Sequence, residues 1–200
     1  MMQSEVKMKV IGLTGGTGSG KSVVASLFME KNAYIIDADK IGHDIILKGK
    51  PAYNEIVNYF GRKILDNDNN INRKKLGEIV FSNSEKLKYL NICTHDYIKQ
   101  EIINQIDIAK KGSYIAIIID AALLYEANLT DICDEVIVVT AKEDIRIKRI
   151  ISRDGITEEL AKKRISSQMS DSQYIDLGSI VIDNSLDIEH VRKQIELIKF

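Results

Sequence analysis

This sequence of 200 residues contains very little proline and cysteine, and it has no excess of positive charge. Pro51 is the single proline, so proline marks almost no loop boundaries along the chain. The two cysteines, Cys93 and Cys133, have no Cys-x-x-Cys spacing and no adjacent histidine. Their arrangement argues against a zinc site or a disulfide framework and indicates reduced, buried thiols. Because 28 basic residues stand against 29 acidic ones, the surface is not broadly basic, and we expect no nucleic-acid partner.

Long apolar segments are lacking as well. No stretch approaches the roughly 18 residues that a membrane-spanning helix needs, so we expect no membrane segment. The first residues, MMQSEVKMK, do not contain the apolar region of a secretory signal, and we expect a cytoplasmic protein. With 200 residues, 44% of them hydrophobic, the chain is large enough to bury a core. We therefore expect one compact domain that spans residues 8–200 and contains a small insertion.

Short apolar runs alternate with helical patterns along the chain, which predicts an α/β fold. The runs that we interpret as buried strands are residues 8–14, Tyr34–Asp37, residues 114–120, residues 135–139 and Ile180–Asp183. Strands joined by helical crossovers form parallel sheets. We therefore predict a five-stranded parallel sheet flanked by helices.

Two helical segments exceed what simple crossovers require. The first is an insertion of about residues 42–112, with predicted helices at Pro51–Phe60, at Arg73–Phe81 and from residue 84 to about 111. We expect this insertion to stand over the carboxyl ends of the strands, where open α/β sheets bind ligands. The second segment, from residue 143 to about 174, is rich in positive charge and is predicted to be a helix, a turn at Gly155 and a second helix.

The most specific motif is GGTGSGKS at residues 15–22, which lies between a predicted strand and a predicted helix. It matches G-x-x-x-x-G-K-[ST], a loop whose backbone N–H groups surround phosphate oxygens at the start of a helix. We predict that Lys21 reaches the β- and γ-phosphates of a nucleoside triphosphate and that the Ser22 hydroxyl ligates Mg²⁺. The predicted ATP-binding loop residues are Gly15, Gly16, Thr17, Gly18, Ser19, Gly20, Lys21 and Ser22.

Other positions favour phosphate transfer over a GTPase switch or a motor. The guanine-specifying pattern Asn-Lys-x-Asp is absent, and a motor ATPase usually needs a larger domain. Arg146, Arg149 and Arg153 are spaced by three and four residues, so they share one helical face. We predict that Arg149 and Arg153 stabilise the phosphates in a lid that closes over the nucleotide. The alternative for this face is a solvated surface stripe.

Carboxylates follow two of the predicted strands. Asp37 and Asp39 come directly after the second strand, and a kinase that phosphorylates a hydroxyl uses a carboxylate to accept the proton. The alternative for Asp39 is the N-cap of a helix that runs through residues 45 and 46. Asp120 ends the third strand and either assists Mg²⁺ or is simply a polar strand end. Among the histidines, His95 is the one candidate, because it lies in the middle of the insertion.

In chain order, these motifs resemble the dephospho-CoA kinase family over nearly the whole sequence. The segments that carry the resemblance are IGLTGGTGSGKS at 11–22, IIDADKIGHDII at 35–46, FGRKIL at 60–65, INRKKLGEIVF at 71–81, LLYE at 123–126, RIKRIISRDGIT at 146–157, RISSQMS at 164–170 and VIDNS at 181–185. The combination of the DAD sequence, the R-x-x-x-R-D-G sequence and the terminal IDN is specific, whereas a phosphate loop alone is shared by many families.

The resemblance implies a P-loop kinase that phosphorylates the ribose 3′-hydroxyl of dephospho-CoA with ATP, the final step of coenzyme A synthesis. It implies that Asp39 is the catalytic base and that Asn184 lies near the adenine of ATP. It also implies that Arg73 lies near the acceptor, that the insertion binds the acceptor, and that the lid spans about residues 146–174. His95 is expected at the acceptor site, although Asp96 replaces the proline that usually follows this histidine in the family.

Two further readings remain open from the sequence. One is a P-loop kinase for another small metabolite or a nucleoside, a reading that the second lost family proline, at Ala122, keeps open. The other is a nucleotide-binding protein without turnover, against which the intact Lys21, Ser22 and Asp39 argue. The sequence indicates no protein partner.

Overall fold

The computed structural model describes residues 8–200, and its centre is a five-stranded sheet. The strands are β1 (Lys9–Thr14), β2 (Tyr34–Asp37), β3 (Ala116–Asp120), β4 (Glu135–Thr140) and β5 (Ile180–Asp183). They lie in the order β2, β3, β1, β4, β5, so the chain repeatedly crosses over before it returns to the sheet. β1 pairs in parallel with both β3 and β4, and β5 pairs in parallel with β4. The predicted parallel sheet is confirmed.

The strand boundaries follow burial. β3 begins at Ala116, where pairing with Lys9 of β1 starts, and its first four side chains are buried. The expectation that this strand begins at residue 114 was wrong. Tyr114 and Ile115 are exposed, and the Tyr114 ring packs edge-on against Tyr34 instead.

Helices account for most of the remaining chain. They are α1 (Lys21–Glu30), α2 (Ala38–Asp44), α3 (Pro51–Phe60), α4 (Arg73–Phe81), α5 (Ser84–Ala109), α6 (Glu143–Asp154), α7 (Glu158–Ser166), α8 (Asp171–Leu177) and α9 (Ile188–Glu196). Short 3₁₀ helices lie at Arg62–Ile64 and Leu129–Ile132. Within the described residues, no helix combines the length and the apolar character that crossing a membrane would require.

The segment after Gly155 is two helices rather than the single helix expected from the sequence. α7 ends at Ser166, and a new helix, α8, starts after Ser170. Ser170 and Gln173 form a capping box, in which each side chain accepts a hydrogen bond from the backbone N–H of the other residue. A reciprocal cap of this kind satisfies two N–H groups at a helix start and therefore favours a new helix here.

The chain divides into two compact units. The sheet unit consists of residues 8–36 together with Ile106–Phe200, and the helical unit is Asp37–Gln105. In the sheet unit, buried side chains of β1, α1, β3, β4, β5 and α9 form one apolar core, which includes Ile11, Phe28, Ile118, Val139 and Val191. This core fixes the end of β1 and the start of α1, and so the loop between them.

The helical unit contains α2, α3, α4 and most of α5. Its buried apolar side chains include Ile56 and Phe60 of α3 and Leu76 of α4. The Tyr59 and Tyr89 rings are stacked with their centroids 3.5 Å apart, which joins α3 to α5. The sequence predicted α3 and α4 with their observed bounds and α5 with the same start.

Candidate active site

The phosphate loop, residues 15–22, leaves the carboxyl end of β1 and enters α1. Gly20 is the N-cap of α1 and has a φ of 89°, a left-handed conformation that glycine adopts without strain. A Cβ atom at Gly20 would lie 2.0 Å from the Asn184 side-chain nitrogen. A Cβ atom at Gly16 would lie 2.4 Å from the Arg146 guanidinium. Both glycines are therefore required by the close packing of polar side chains against the loop.

Several loop N–H groups are available to an anion. The Ser19 N–H closes a turn on the Gly16 carbonyl at 3.1 Å. By contrast, the N–H groups of Gly18, Gly20, Lys21 and Ser22 make no hydrogen bond with any residue in the range 8–200. Unpaired N–H groups at a helix start, together with the helix dipole, form a binding site for phosphate.

Lys21 forms an ion pair with Asp120 at the end of β3. Each side chain is 16% exposed, so the pair is largely shielded from solvent but open on one side. The sequence left Asp120 undecided between a metal-assisting acid and a polar strand end. The structure places its carboxylate beside the loop lysine, where a charged group influences whatever the loop binds.

Arg149 and Asn184 hold the loop from its carbonyl side. Arg149 donates to the carbonyl oxygens of Ser19 at 3.1 Å and Gly18 at 3.3 Å, and also to the Asn184 carbonyl at 2.9 Å. The buried Asn184 side chain donates to the same Ser19 carbonyl at 2.8 Å. Because these carbonyls are held on one side of the loop, its N–H groups are turned to the other side. The structure thus brings two sequence-predicted residues together with the loop.

Arg153 has different neighbours. Its side chain is exposed and donates to both carboxylate oxygens of Asp154, at 2.7 and 2.9 Å. These hydrogen bonds, with the charge of Arg153 and that of Arg164, hold the pKa of Asp154 below its ordinary value. Arg153 is not in contact with the phosphate loop, so its assignment to the nucleotide stays a prediction.

Two residues that contact the loop were missed by the sequence reasoning. Arg146 is 2% exposed, and its Nε donates to the Thr17 carbonyl at 2.9 Å. The Gln168 side-chain oxygen accepts a hydrogen bond from the Thr17 N–H at 2.7 Å. A signal for Arg146 was present, since it shares a helical face with Arg149 and precedes the apolar Ile147. Gln168 had no such local signal.

The candidates in the helical unit are mostly exposed. Asp37, not Asp39, is the N-cap of α2, because its carboxylate accepts the Lys40 N–H at 2.8 Å. The capping alternative for Asp39 was therefore wrong, and α2 ends at Asp44, before residues 45 and 46. Asp39 lies in the first turn of α2 and is exposed, and its side chain has no hydrogen bond with the described residues.

The two expected acceptor residues lie on α4 and α5. Arg73 is the first residue of α4, follows the N-cap Asn72 and is exposed. His95 lies in α5 and is half-buried. Burial lowers the pKa of His95, and the neighbouring Asp96 carboxylate opposes part of this shift. His95 is therefore favoured in its neutral form, which can both donate and accept a hydrogen bond.

Comparison with known proteins gives a consistent result. The sequence model of the dephospho-CoA kinase family matches residues 9–190. A dephospho-CoA kinase of Carboxydothermus hydrogenoformans is 43% identical over 94% of this chain and 91% of its own length. A dephospho-CoA kinase of Fusobacterium nucleatum is 42% identical over 96% of this chain and 97% of its own length. The solved structure of dephospho-CoA kinase from Campylobacter jejuni matches with a TM-score of 0.67 and 30% identity, over 92% of each chain.

Proposed function

The chain belongs to the dephospho-CoA kinase family, and we propose that its phosphate loop holds ATP while Asp39 activates the ribose 3′-hydroxyl of dephospho-CoA. The chain is thus a kinase of the final step of coenzyme A synthesis, and its products are coenzyme A and ADP. We propose that the reaction takes place in the cytoplasm.

The observation that carries the proposal is the set of loop N–H groups beside the Lys21 side chain. Phosphate transfer places charge on the oxygens of the moving phosphoryl group, and the protein accelerates it mainly by positioning and by electrostatic stabilisation. Fixed N–H groups at the start of α1 supply that stabilisation without rearrangement, and Lys21 places a cation beside them. Arg149 adds a cation beside the same loop.

The residues at the loop fit Mg²⁺ as well. This ion prefers oxygen ligands, and in nucleotide sites one or two protein oxygens join the phosphates and water. The exposed Ser22 hydroxyl and the Asp120 carboxylate are oxygen donors of this kind, and we propose that they hold the ion. Bound Mg²⁺ neutralises charge on the β- and γ-phosphates during transfer.

Asp39 suits the role of general base, because its carboxylate is exposed and unpaired among residues 8–200. In the proposed step, Asp39 accepts the proton of the 3′-hydroxyl while that oxygen bonds to the γ-phosphorus of ATP. The bond between the γ-phosphorus and the bridging oxygen breaks, and ADP leaves with the electron pair. An aligned base of this type contributes about 10²–10⁴ to a rate.

The remaining predicted roles follow from where each residue lies. We propose that the exposed Arg73 binds an anionic group of the acceptor and that His95 contributes to the acceptor site. Asn184 is proposed to lie near the adenine. The lid, about residues 146–174, begins within α6, contains α7 and ends within α8, and it carries Arg153. The acceptor-binding insertion, about residues 42–112, covers most of the helical unit.

The test is an acceptor panel. ADP formation is measured with Mg²⁺ and ATP against dephospho-CoA, nucleosides, nucleoside monophosphates and small sugar acids, and each product is identified by mass and by the position of the new phosphate. We expect turnover of dephospho-CoA to its 3′-phosphate and none of a matched analogue that lacks the 3′-hydroxyl. Turnover of a different acceptor alone would overturn the acceptor assignment and leave a kinase of another small metabolite.

A further inference from the structure

Within residues 8–200, Thr17 is the one residue of the phosphate loop whose backbone N–H and carbonyl are both hydrogen-bonded to side chains. Gln168 accepts the N–H at 2.7 Å, and Arg146 donates to the carbonyl at 2.9 Å. We call these two hydrogen bonds the Thr17 clamp. Both side chains come from the segment that contains α6, α7 and α8, so the clamp connects this segment directly to the loop.

Arg146 is built into the structure as a buried cation. Its Nη1 donates to the Asp171 carboxylate, in the first turn of α8, at 2.5 Å. Its Nη2 is buried without a hydrogen-bond partner among the described residues and lies against Gly16. A buried charge is costly unless it is paired, so the Asp171 pair and the Thr17 carbonyl hold this guanidinium in one place. Arg146 is thus a rigid support behind the loop.

Gln168 has a chemical reason to be a neutral amide. Its carbonyl oxygen accepts the Thr17 N–H as a carboxylate would, but it adds no negative charge next to a loop that binds phosphates. With the Thr17 N–H satisfied by Gln168, that peptide is fixed in orientation. The fixed backbone at Thr17 then constrains the positions of the N–H groups that follow it, those of Gly18, Gly20, Lys21 and Ser22.

We propose that Gln168 and Arg146 are positioning residues, which hold the peptide groups on both sides of Thr17 so that the loop N–H groups are aligned for the phosphates of ATP. This inference rests on the proposed function of the loop and adds a specific support for it. Neither residue touches the acceptor in this proposal. Loss of the clamp therefore weakens ATP binding selectively, and the affinity for dephospho-CoA is unchanged.

The experiment compares Gln168→Met, which keeps the side-chain length and removes the acceptor, with Gln173→Met. Gln173 is a matched control, because its side-chain oxygen also accepts a backbone N–H, that of Ser170 at 2.8 Å, but not one of the loop. We measure the Kd of ATP without acceptor, KM for both substrates, kcat and thermal stability. Gln168→Met is expected to raise Kd and KM for ATP about tenfold, with KM for dephospho-CoA within about twofold of wild type.

Gln173→Met is expected to lower thermal stability and to leave the Kd of ATP unchanged. Gln168→Asn provides a second variant that keeps a polar side chain but is too short to reach Thr17, and it should behave like Gln168→Met. The proposal is overturned if both Gln168 variants bind ATP within about twofold of wild type, or if Gln173→Met weakens ATP binding equally. Because the Kd is measured without acceptor, a failure of the acceptor assignment leaves this test intact.

Discussion

The sheet unit and the helical unit hold their candidate functional side chains in opposite ways. In the sheet unit, Lys21, Arg149 and Asn184 are each bonded to another residue of the same site. In the helical unit, Asp39 and Arg73 are exposed, and the Asp39 side chain makes no hydrogen bond within the described chain. The site residues of the sheet unit are thus bonded to one another before any ligand binds. The charged site residues of the helical unit are exposed and can contact a ligand directly.

This difference suits the two substrates. A triphosphate is recognised chiefly through backbone N–H groups. These groups stabilise the phosphate charge best when they are already oriented, because no free energy is then spent on reorganising them. A base that takes a proton from the acceptor must instead be open to it. Substitutions of the site residues in the sheet unit should therefore disturb ATP binding together with activity, whereas substitution of Asp39 in the helical unit should act on the reaction alone.

The largest expected effect is that of Lys21→Ala in the sheet unit. This change removes the lysine that pairs with Asp120 beside the loop, and with it the side-chain cation proposed to contact the β- and γ-phosphates. We expect kcat/KM to fall by roughly 10³ or more, as for the loss of a key electrostatic group. Steady-state ADP formation measures the loss, and Lys31→Ala, an exposed lysine at the end of α1, is the control. Activity of Lys21→Ala within a few-fold of wild type would refute the assignment.

Asp39→Asn is the matching change in the helical unit. If Asp39 accepts the proton, kcat should fall by about 10²–10³, because an interaction made only in the transition state is lost. The Kd of ATP and the melting temperature should remain those of wild type, since the side chain is exposed and unpaired among residues 8–200. A loss confined to ATP affinity would instead move Asp39 to a metal-binding role and would remove the contrast between the units.

The sequence predicted the sheet and the loop well because both are local patterns. Continuous apolar runs such as that of β3 specify buried strands, and the glycine-rich motif needs only the strand before it and the helix after it. Helix starts with a clear signal were also found, as for Pro51 at the first position of α3.

The two hydrogen bonds of the Thr17 clamp were not predicted, because they join positions far apart in the chain. Thr17 and Gln168 are separated by 151 positions, and Thr17 and Arg146 by 129. No local pattern reports such a contact, and the arginine stripe alone could not tell that Arg146 is buried while Arg153 pairs with Asp154 in solvent. The break between α7 and α8 was missed because its signal is a short capping box inside a polar segment.

A smaller effect is expected from adding one methyl group to a glycine in each unit. At Gly16, the new Cβ would lie 2.4 Å from the Arg146 guanidinium. We therefore expect Gly16→Ala to lower the free energy of unfolding by roughly 1–3 kcal/mol and to weaken ATP binding. At Gly49 in the helical unit nothing lies within 4 Å, but φ is 85°. Gly49→Ala should cost roughly 1–2 kcal/mol of strain and leave the Kd of ATP unchanged. Urea unfolding and ATP titration of both variants test this, and equal ATP affinities would contradict it.

The effect expected to be smallest near neutral pH is a pH dependence that comes from Cys133, a partly buried thiol of the sheet unit. The Cys133 thiol donates to the Leu129 carbonyl at 3.3 Å, and burial, followed by the charge of Asp134, raises its pKa to about 12. In the unfolded chain the thiol ionises near its ordinary pKa of 9.0. The folded state therefore retains a proton that the unfolded state loses, and this contribution to stability is complete below pH 9.0 and is lost progressively as the pH rises towards 12.

Cys133→Ser isolates this contribution, because serine does not titrate in that range while the lysines and tyrosines remain the same in both proteins. The free energy of unfolding of wild type, minus that of Cys133→Ser, should be constant up to about pH 8.5 and should fall at higher pH, approaching about 1.4 kcal/mol per pH unit at the steepest. Urea unfolding at about pH 8 and about pH 10.5 measures the change. A difference that does not vary with pH would mean that the thiol ionises as easily in the folded sheet unit as in the unfolded chain, so the interior beside β1 would be open to water.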